Sequence, residues 1–311
     1  MLVVMSHIML FYQVVEYPVK DILTSFRIPL YFFLSGIFFK AYSTKTFLLK
    51  KVNNLLIPFV FFYLVTGLII PQALLNTVGY HMEWLSNDIF RQELINEFHT
   101  EAFPNIAIWF LLCLFQLNLL FFIVLKICRD NTPSIVIIGI IIGSVGLYLS
   151  WTHINLPFHL DTTLTAFPIF IIGYLLRKNS NILENGVPFI LVPFALAILW
   201  RFSSFTDYRT NLIPVNSAYL CAFAGISIVL YIGYKLKRIP FISYIGRYSI
   251  IVLCTHALIY QAIHMLLRLL VVTHFLHLWN FSLTMLSYLI VIPLFRHYLP
   301  HVTAQKPVFK V

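Results

Sequence analysis

Long apolar runs separated by short polar stretches set the pattern of this chain. At about 20 mostly apolar residues per membrane crossing, they predict ten spans, at about 1–15, 25–42, 54–76, 105–127, 134–151, 163–176, 186–200, 214–234, 248–272 and 279–295. The strands of a membrane barrel would instead alternate over segments of roughly ten residues. These runs are continuous, so the expected fold is an all-α integral membrane bundle, a single domain over residues 1–311. No linker, low-complexity segment or internal repeat divides it. The first span reads as incomplete. Its apolar residues before Glu16 rise only about 22 Å as a helix, against a bilayer core of about 30 Å. One or two further turns and a cytoplasmic lead are therefore expected before Met1. The longest polar stretch, 77–104, places Trp84, Leu85, Ile89, Ile95 and Phe98 at roughly helical spacing among Asp88, Glu93, Glu97 and Glu101. That spacing predicts an amphipathic helix over the outer face, either a lid or a solvated loop helix.

Composition excludes a soluble globule. Hydrophobic residues make up 60% of the chain and charged residues 10%, where soluble domains carry about 25% charged residues. The charges also orient the spans. With a cytoplasmic N-terminus, segments 40–53, 126–133, 177–185, 235–247 and 296–311 hold 4, 2, 2, 4 and 3 Lys+Arg. Segments on the opposite side hold 2, 1, 0, 2 and 0, and Arg268 lies within a span. Only Asp130 and Glu184 fall on the cytoplasmic side, against nine acidic residues outside. This asymmetry follows the positive-inside rule and places both termini in the cytoplasm. It also accounts for the net charge of +10 as loops facing an anionic leaflet. A nucleic-acid partner would need a basic face on a soluble element, and none is visible. Cys113, Cys128, Cys221 and Cys254 show neither CxxC nor metal-ligand spacing and read as small packing residues. No basic n-region or small-residue cleavage site marks a signal peptide.

Candidate chemistry lies in a few polar residues within or beside the spans. His7 sits in MLVVMSH, and a membrane span keeps such a group mainly where it has work or a partner. FRIPLYFFLSGIFF, Phe26 to Phe39, combines an aromatic run with Pro29 and the pair Ser35–Gly36. KKVNNLLIPF, Lys50 to Phe59, is a basic entry to a span, and WFLLCLF runs from Trp109 to Phe115. FPIFIIGYLL, Phe167 to Leu176, ends near a Gly, and IGRYSIIVLCTH, Ile245 to His256, ends in a second intramembrane His. Taken in order from Met1 to His256, these six segments resemble acyltransferase family 3. Within that family the chain looks most like the sugar O-acetylase branch, such as the fucose 4-O-acetylase-like proteins.

The resemblance implies an O-acyltransferase of the bacterial inner (plasma) membrane. The acyl donor would be acetyl-CoA or a similar acyl-CoA, used as a substrate, with no bound cofactor and no metal. The acceptor would be a sugar hydroxyl of an envelope polysaccharide or of its lipid-linked precursor. A sugar hydroxyl is a poor nucleophile, and a positioned His that removes its proton contributes about 10²–10⁴-fold. His7 is the candidate base, and burial favours the neutral form a base needs. The alternative is a core His bonded to backbone or to a Ser. His256 is the second candidate polar group of the cavity. Arg27 stands before Ile-Pro where the family often has His. It reads as a bidentate anion ligand or as a snorkelling anchor. The family's basic pair before Leu-Ile-Pro appears as Lys51 and Asn54. Lys50, Lys51 and Arg247 can meet CoA phosphates or serve only as topogenic charge. The family pattern also places an Arg eleven residues before its His, a position that would precede Met1.

Ser35 and Gly36 read as a helix-packing pair, with Ser35 alternatively a substrate contact. Trp109 reads as an interfacial anchor or a lining residue of the acceptor groove. Arg268 needs a partner, for which His264 one turn earlier is the candidate. Asp207 and Arg209 read as solvated outer-loop charges or as ligands of sugar hydroxyls. His81, His99, His153 and His159 show no HxxxH or HExxH spacing, so no zinc site is expected. Two rivals remain at this point: a transporter or exporter of glycan precursors, with intramembrane His and Arg as relay or gating residues, and a catalytically silent relative acting as a scaffold.

Overall fold

The computed structural model describes residues 1–14, 18–66, 105, 107–179, 186–270 and 274–310. Among the described residues the chain is helical with no strand, and a lone antiparallel bridge joins Asp207 to Leu212. Seven helical stretches are long and apolar enough to cross a membrane: Thr44–Leu64, Trp109–Ile127, Thr132–Trp151, Pro157–Lys178, Ala218–Leu236, Ser249–Leu269 and Leu276–Tyr298. The protein is thus a multi-pass membrane protein of helical class. The other three expected spans fall on shorter or more polar helices. These are α1 (Leu2–Phe11), α2 (Val19–Ile37), which carries Lys20, Asp21 and Arg27, and the twelve-residue α8 (Leu191–Phe202). The helix expected over 77–104, with His81 and His99, lies outside the described residues.

The helix leading into the third span begins ahead of its apolar run, and its lysines lie beside rings. Helix α3 (Thr44–Lys51) leads through a π turn (Val52–Leu56) into α4 (Ile57–Leu64). The Lys50 ammonium lies 3.7 Å from the Tyr42 ring centroid and that of Lys51 5.6 Å from Phe47, so the stems stay on apolar surface. Pro58 explains the π turn. It has no N–H to give the Asn54 carbonyl four residues back, and its ring would crowd that carbonyl. Widening the preceding turn by one residue relieves both problems.

The chain forms two compact units. The first comprises Met1–Val14, Tyr42–Phe115 and Phe241–Val311; the second comprises Val15–Ala41 and Gln116–Pro240. Helix α5 (Trp109–Ile127) runs through the boundary in sequence. In the second unit, α7 (Leu160–Asn179) packs between α6 (Thr132–Trp151) and α2, α2 also packs on α9 (Ala218–Leu236), and α9 on α8. Helices α2 and α7 touch backbone to backbone. A Cβ on Gly36 would overlap the Phe170 carbonyl, and a Cβ on Gly173 would overlap that of Phe33. Without a hydrophobic force between helices in lipid, such close approach supplies the van der Waals contact that holds them. Arg177 fastens the same crossing by donating from Nη1 to the Ile37 carbonyl at the end of α2, at 2.7 Å.

In the first unit, α11 (Ser249–Leu269) and α12 (Leu276–Tyr298) pair, α1 packs on both, and α4 meets α11. Helix α10 (Pro240–Arg247) precedes α11. Val4 and Ile8 of α1, Ile251 and Val252 of α11, and Tyr288 and Ile292 of α12 share one core. Leu55 and Phe62 join Cys254 and Leu111 in a second. All four cysteines are buried free thiols.

Candidate active site

The first unit brings two histidines together. Val4 and Ile8 bury one side of α1 and leave His7 partly exposed between them. Its ring centroid lies 5.2 Å from that of His256, with the planes at 61°. His256 is fully buried at the middle of α11. Its Nδ1 lies 3.1 Å from the Val252 carbonyl and 2.9 Å from that of Leu253. Carbonyls only accept, so Nδ1 carries the ring proton of the neutral form and Nε2 keeps its lone pair. That Nε2 is buried and has no hydrogen-bond partner among the described residues. An orphaned buried acceptor costs about 1–3 kcal/mol, and a native structure keeps one where strain, catalysis or a ligand explains it.

Residues around the pair hold it from both sides. Tyr288 of α12 donates to the Val252 carbonyl at 3.4 Å, the same carbonyl that receives His256. One turn further along α11, Tyr260 offers its carbonyl to Asn280 Nδ2 at 2.9 Å. Asn280 also donates to Tyr12 Oη at 2.9 Å and accepts from Thr284 at 3.1 Å. Tyr12 Oη lies 2.7 Å from His264 Nδ1. Asn280 therefore ties α1, α11 and α12 together at one point. His264, the partner expected for Arg268 from the sequence, thus meets Tyr12 through its Nδ1. Asn105, before α5, donates to the Cys254 carbonyl at 2.8 Å, two residues from His256, and its buried Oδ1 has no partner among the described residues.

The other residues singled out in the sequence are spread over both units. Trp109 is only 5% exposed, at the start of α5, so it is buried rather than facing outward as an interfacial anchor. Lys51 belongs to the first unit, as does Arg247, exposed at the end of α10. Arg27 and Ser35 belong to the second unit, on α2, and both are half-buried. The charge of Asp207 acts on Arg27, while Asp207 Oδ1 caps its own hairpin by accepting from Arg209 N at 2.9 Å. His159 Nδ1 lies 3.1 Å from the Arg209 carbonyl. Asp207, Arg209 and His159 thus hold one loop against the start of α7, and His153 stays exposed. No cluster of three or more His, Cys, Asp or Glu with metal-binding geometry occurs among the described residues.

Sequence reading passed over Tyr12, Asn280 and Asn105. Their signal was present: an amide or phenol within an apolar span is kept where it finds a partner. What it lacked was the partner, which lies 268 positions away for Asn280 and Tyr12.

The first unit thus places a buried imidazole beside a second, partly exposed one inside an apolar helical bundle. Comparison with known families makes this specific: residues 1–296 match the acyltransferase domain family known as acyltransferase family 3, and the chain belongs to it. It is a membrane acyltransferase. No match was found among curated proteins or among solved structures.

Proposed function

We propose that this protein transfers an acetyl or similar short acyl group from acyl-CoA to a sugar hydroxyl of a cell-envelope polysaccharide or its lipid-linked precursor. In this reading it belongs to the fucose 4-O-acetylase-like branch, in a bacterial inner membrane with both termini cytoplasmic. The observation that carries the reading is the His7–His256 pair with its unpartnered Nε2.

The chemistry follows from what each ring can do. His7 takes the proton of the acceptor hydroxyl as its oxygen attacks the thioester carbonyl. The C–O bond forms, the C–S bond breaks, and the proton leaves with the thiolate as the free thiol. His256 cannot act as a hydrogen-bond donor through Nε2 while neutral. Its role is to accept from a His7 N–H and share the positive charge that develops on that ring, the logic of a base steadied by a second group. Such contacts tighten only when substrate is bound. Water is excluded around His256, so each such interaction is stronger than in solution. Lys51 and Arg247, with Lys50, would meet donor phosphates. Arg27, Ser35 and Trp109 are assigned to substrate binding on their family positions.

The test compares the mass of the host's surface glycan with the gene present, deleted, and carrying His7→Ala. The expected result is loss of one acetyl increment per modified sugar in both altered strains, with unchanged amounts of protein and glycan. Full acetylation in the His7→Ala strain removes His7 as the base. Unchanged acetylation with less surface glycan sinks the acyl-transfer reading.

A further inference from the structure

The approach of His7 to His256 depends on the depth and rotation at which α1 is held. Helix α1 spans ten residues, Leu2–Phe11, about 15 Å of rise. Val4 and Ile8 enter the buried core of the unit, with Met1 and Tyr12 packed against it. Apolar contacts are non-directional, and in lipid they lack a hydrophobic driving force between helices, so they fix no register on their own. A slip of one residue moves a helix by about 1.5 Å and turns it by about 100°. That turn would carry His7 off the face of α1 that meets α11, away from the 5.2 Å ring separation it holds.

A directional tie fixes both coordinates. Helix α1 ends in a Schellman motif, in which Val14 N donates to the Met9 carbonyl and Gln13 N to that of Leu10, each at 3.1 Å. Gln13 takes the left-handed conformation of the motif, at φ 52°. Tyr12, just before it, therefore has a backbone set by the end of the helix. Its phenol meets Asn280, fully buried in the second turn of α12. Both polar atoms of the Asn280 amide are used. Nδ2 donates to Tyr12 Oη and to the Tyr260 carbonyl, each at 2.9 Å, and Oδ1 accepts from Thr284 Oγ1 at 3.1 Å. Thr284 lies one turn further along α12, so the amide is oriented by its own helix before it reaches the other two.

Spacing links this tie to the histidine pair. Tyr12 lies five residues after His7, about 7.5 Å along α1, and Tyr260 four residues after His256, about 6 Å along α11. His7 meets His256, and Phe11 meets Tyr260 with ring centroids 5.4 Å apart, so the two helices run in the same direction. Holding Tyr12 and the Tyr260 carbonyl on one amide therefore holds His7 level with His256.

We propose that Tyr12 and Asn280 are positioning residues for acyl transfer, fixing the depth and rotation of α1 and so the approach of His7 to His256. This rests on the base role of His7 proposed above. Both residues act through His7 rather than on the reacting atoms.

The test uses the full-length protein in phospholipid nanodiscs, with acetyl transfer from acetyl-CoA to the host's surface glycan as the assay. Tyr12→Phe removes one oxygen and keeps the ring contacts with Phe11 and His264. The expected result is a kcat lower by about 10–100-fold, the scale of a misplacement of about 1 Å, with KM for acetyl-CoA and Tm little changed. Asn280→Leu is expected to lose at least as much kcat, and Tyr12→Phe decides the matter where that variant folds poorly. Ser150→Ala is the structural comparison. In the second unit the Ser150 hydroxyl donates to the Asn211 carbonyl at 2.6 Å and accepts from Ile213 N at 3.1 Å, and its loss is expected to lower Tm with kcat unchanged. Equal kcat losses in Tyr12→Phe and Ser150→Ala would overturn the proposal, as would a Tyr12→Phe variant changed only in Tm or KM. His7→Ala separates positioning from the base assignment. Loss of transfer in His7→Ala with ordinary kcat in Tyr12→Phe overturns the positioning role alone, and ordinary transfer in His7→Ala overturns both.

Discussion

The two units of this protein solve different problems with different residues. The second is held by contact. Gly36 and Gly173 let α2 and α7 meet backbone to backbone, its described residues include Asp21, Asp130, Asp161 and Asp207, and side chains there mostly cap loops and helix ends. The first unit has no carboxylate among its described residues. It keeps an unpartnered imidazole nitrogen at its centre and spends its amides, Asn280 and Asn53, on fixing α1 and the segment after α12. The contrast teaches where to look for chemistry in a bundle this apolar. An open buried atom is not by itself the mark, since Ser203 Oγ and Tyr208 Oη of the second unit also lack a hydrogen-bond partner among the described residues; what the first unit adds is a second imidazole 5.2 Å from the open one.

The largest expected effect tests that division directly. His256→Gln keeps most of the ring's volume but replaces the open Nε2. Loss of a charge-sharing partner for the base is expected to lower kcat by about 10²-fold or more, with thermal unfolding little changed. The measurement is acyl transfer by purified protein, alongside its Tm. A variant with ordinary kcat and a much lower Tm would make the histidine pair a core contact and erase the difference between the units.

Part of this was legible in the sequence, and part was not, for a physical reason. Apolar run length announced a helical bundle because a lipid-exposed backbone must satisfy its own hydrogen bonds. The same run length did not show that a helix already begins at Thr44, ahead of the apolar run, with Lys50 and Lys51 beside rings. His7 and His256 stood out because an ionisable group in a span needs a reason. Their meeting depends on α1 and α11 packing together, which no local pattern encodes. Asn280 and Asn53 were harder still. Each has a partner more than 250 positions away, and an Asn in a span looks alike whether it clamps a backbone or merely packs. Of the two readings open for Trp109, anchor or lining residue, its 5% exposure disfavours the first, because an aromatic at a span end can face lipid or protein.

A second variant probes the architecture of the other unit. Gly173→Val adds a branched side chain where a Cβ already overlaps the Phe33 carbonyl. Forcing α2 and α7 apart is expected to destabilise the protein by about 1–3 kcal/mol, as overpacking does, or to prevent accumulation of folded protein. Denaturant or thermal unfolding in detergent measures it. Tolerance of Val without loss of stability would show that the glycine crossing is not what holds this unit.

The smallest effect concerns the exposed end of the same unit and depends on pH. Asp130 Oδ2 lies 2.7 Å from Lys178 Nζ, and its Oδ1 accepts from Tyr174 Oη at 3.0 Å. The Lys178 ammonium, with the phenol adding a further hydrogen bond, holds this carboxyl below the usual carboxylate range. A carboxyl whose folded pKa is depressed stabilises the fold above its unfolded pKa, and the contribution fades as pH falls through the folded value. Both partners are substantially exposed, 33% for the Lys178 side chain and 50% for that of Asp130, so the pair contributes about 0.2–1 kcal/mol and less in high salt. Asp130→Asn should therefore lower Tm slightly at neutral pH and make no difference once the wild-type carboxyl is protonated. An equal Tm loss at neutral and acidic pH would mean that Asp130 acts through the hydrogen bond it accepts from Tyr174 rather than through its charge.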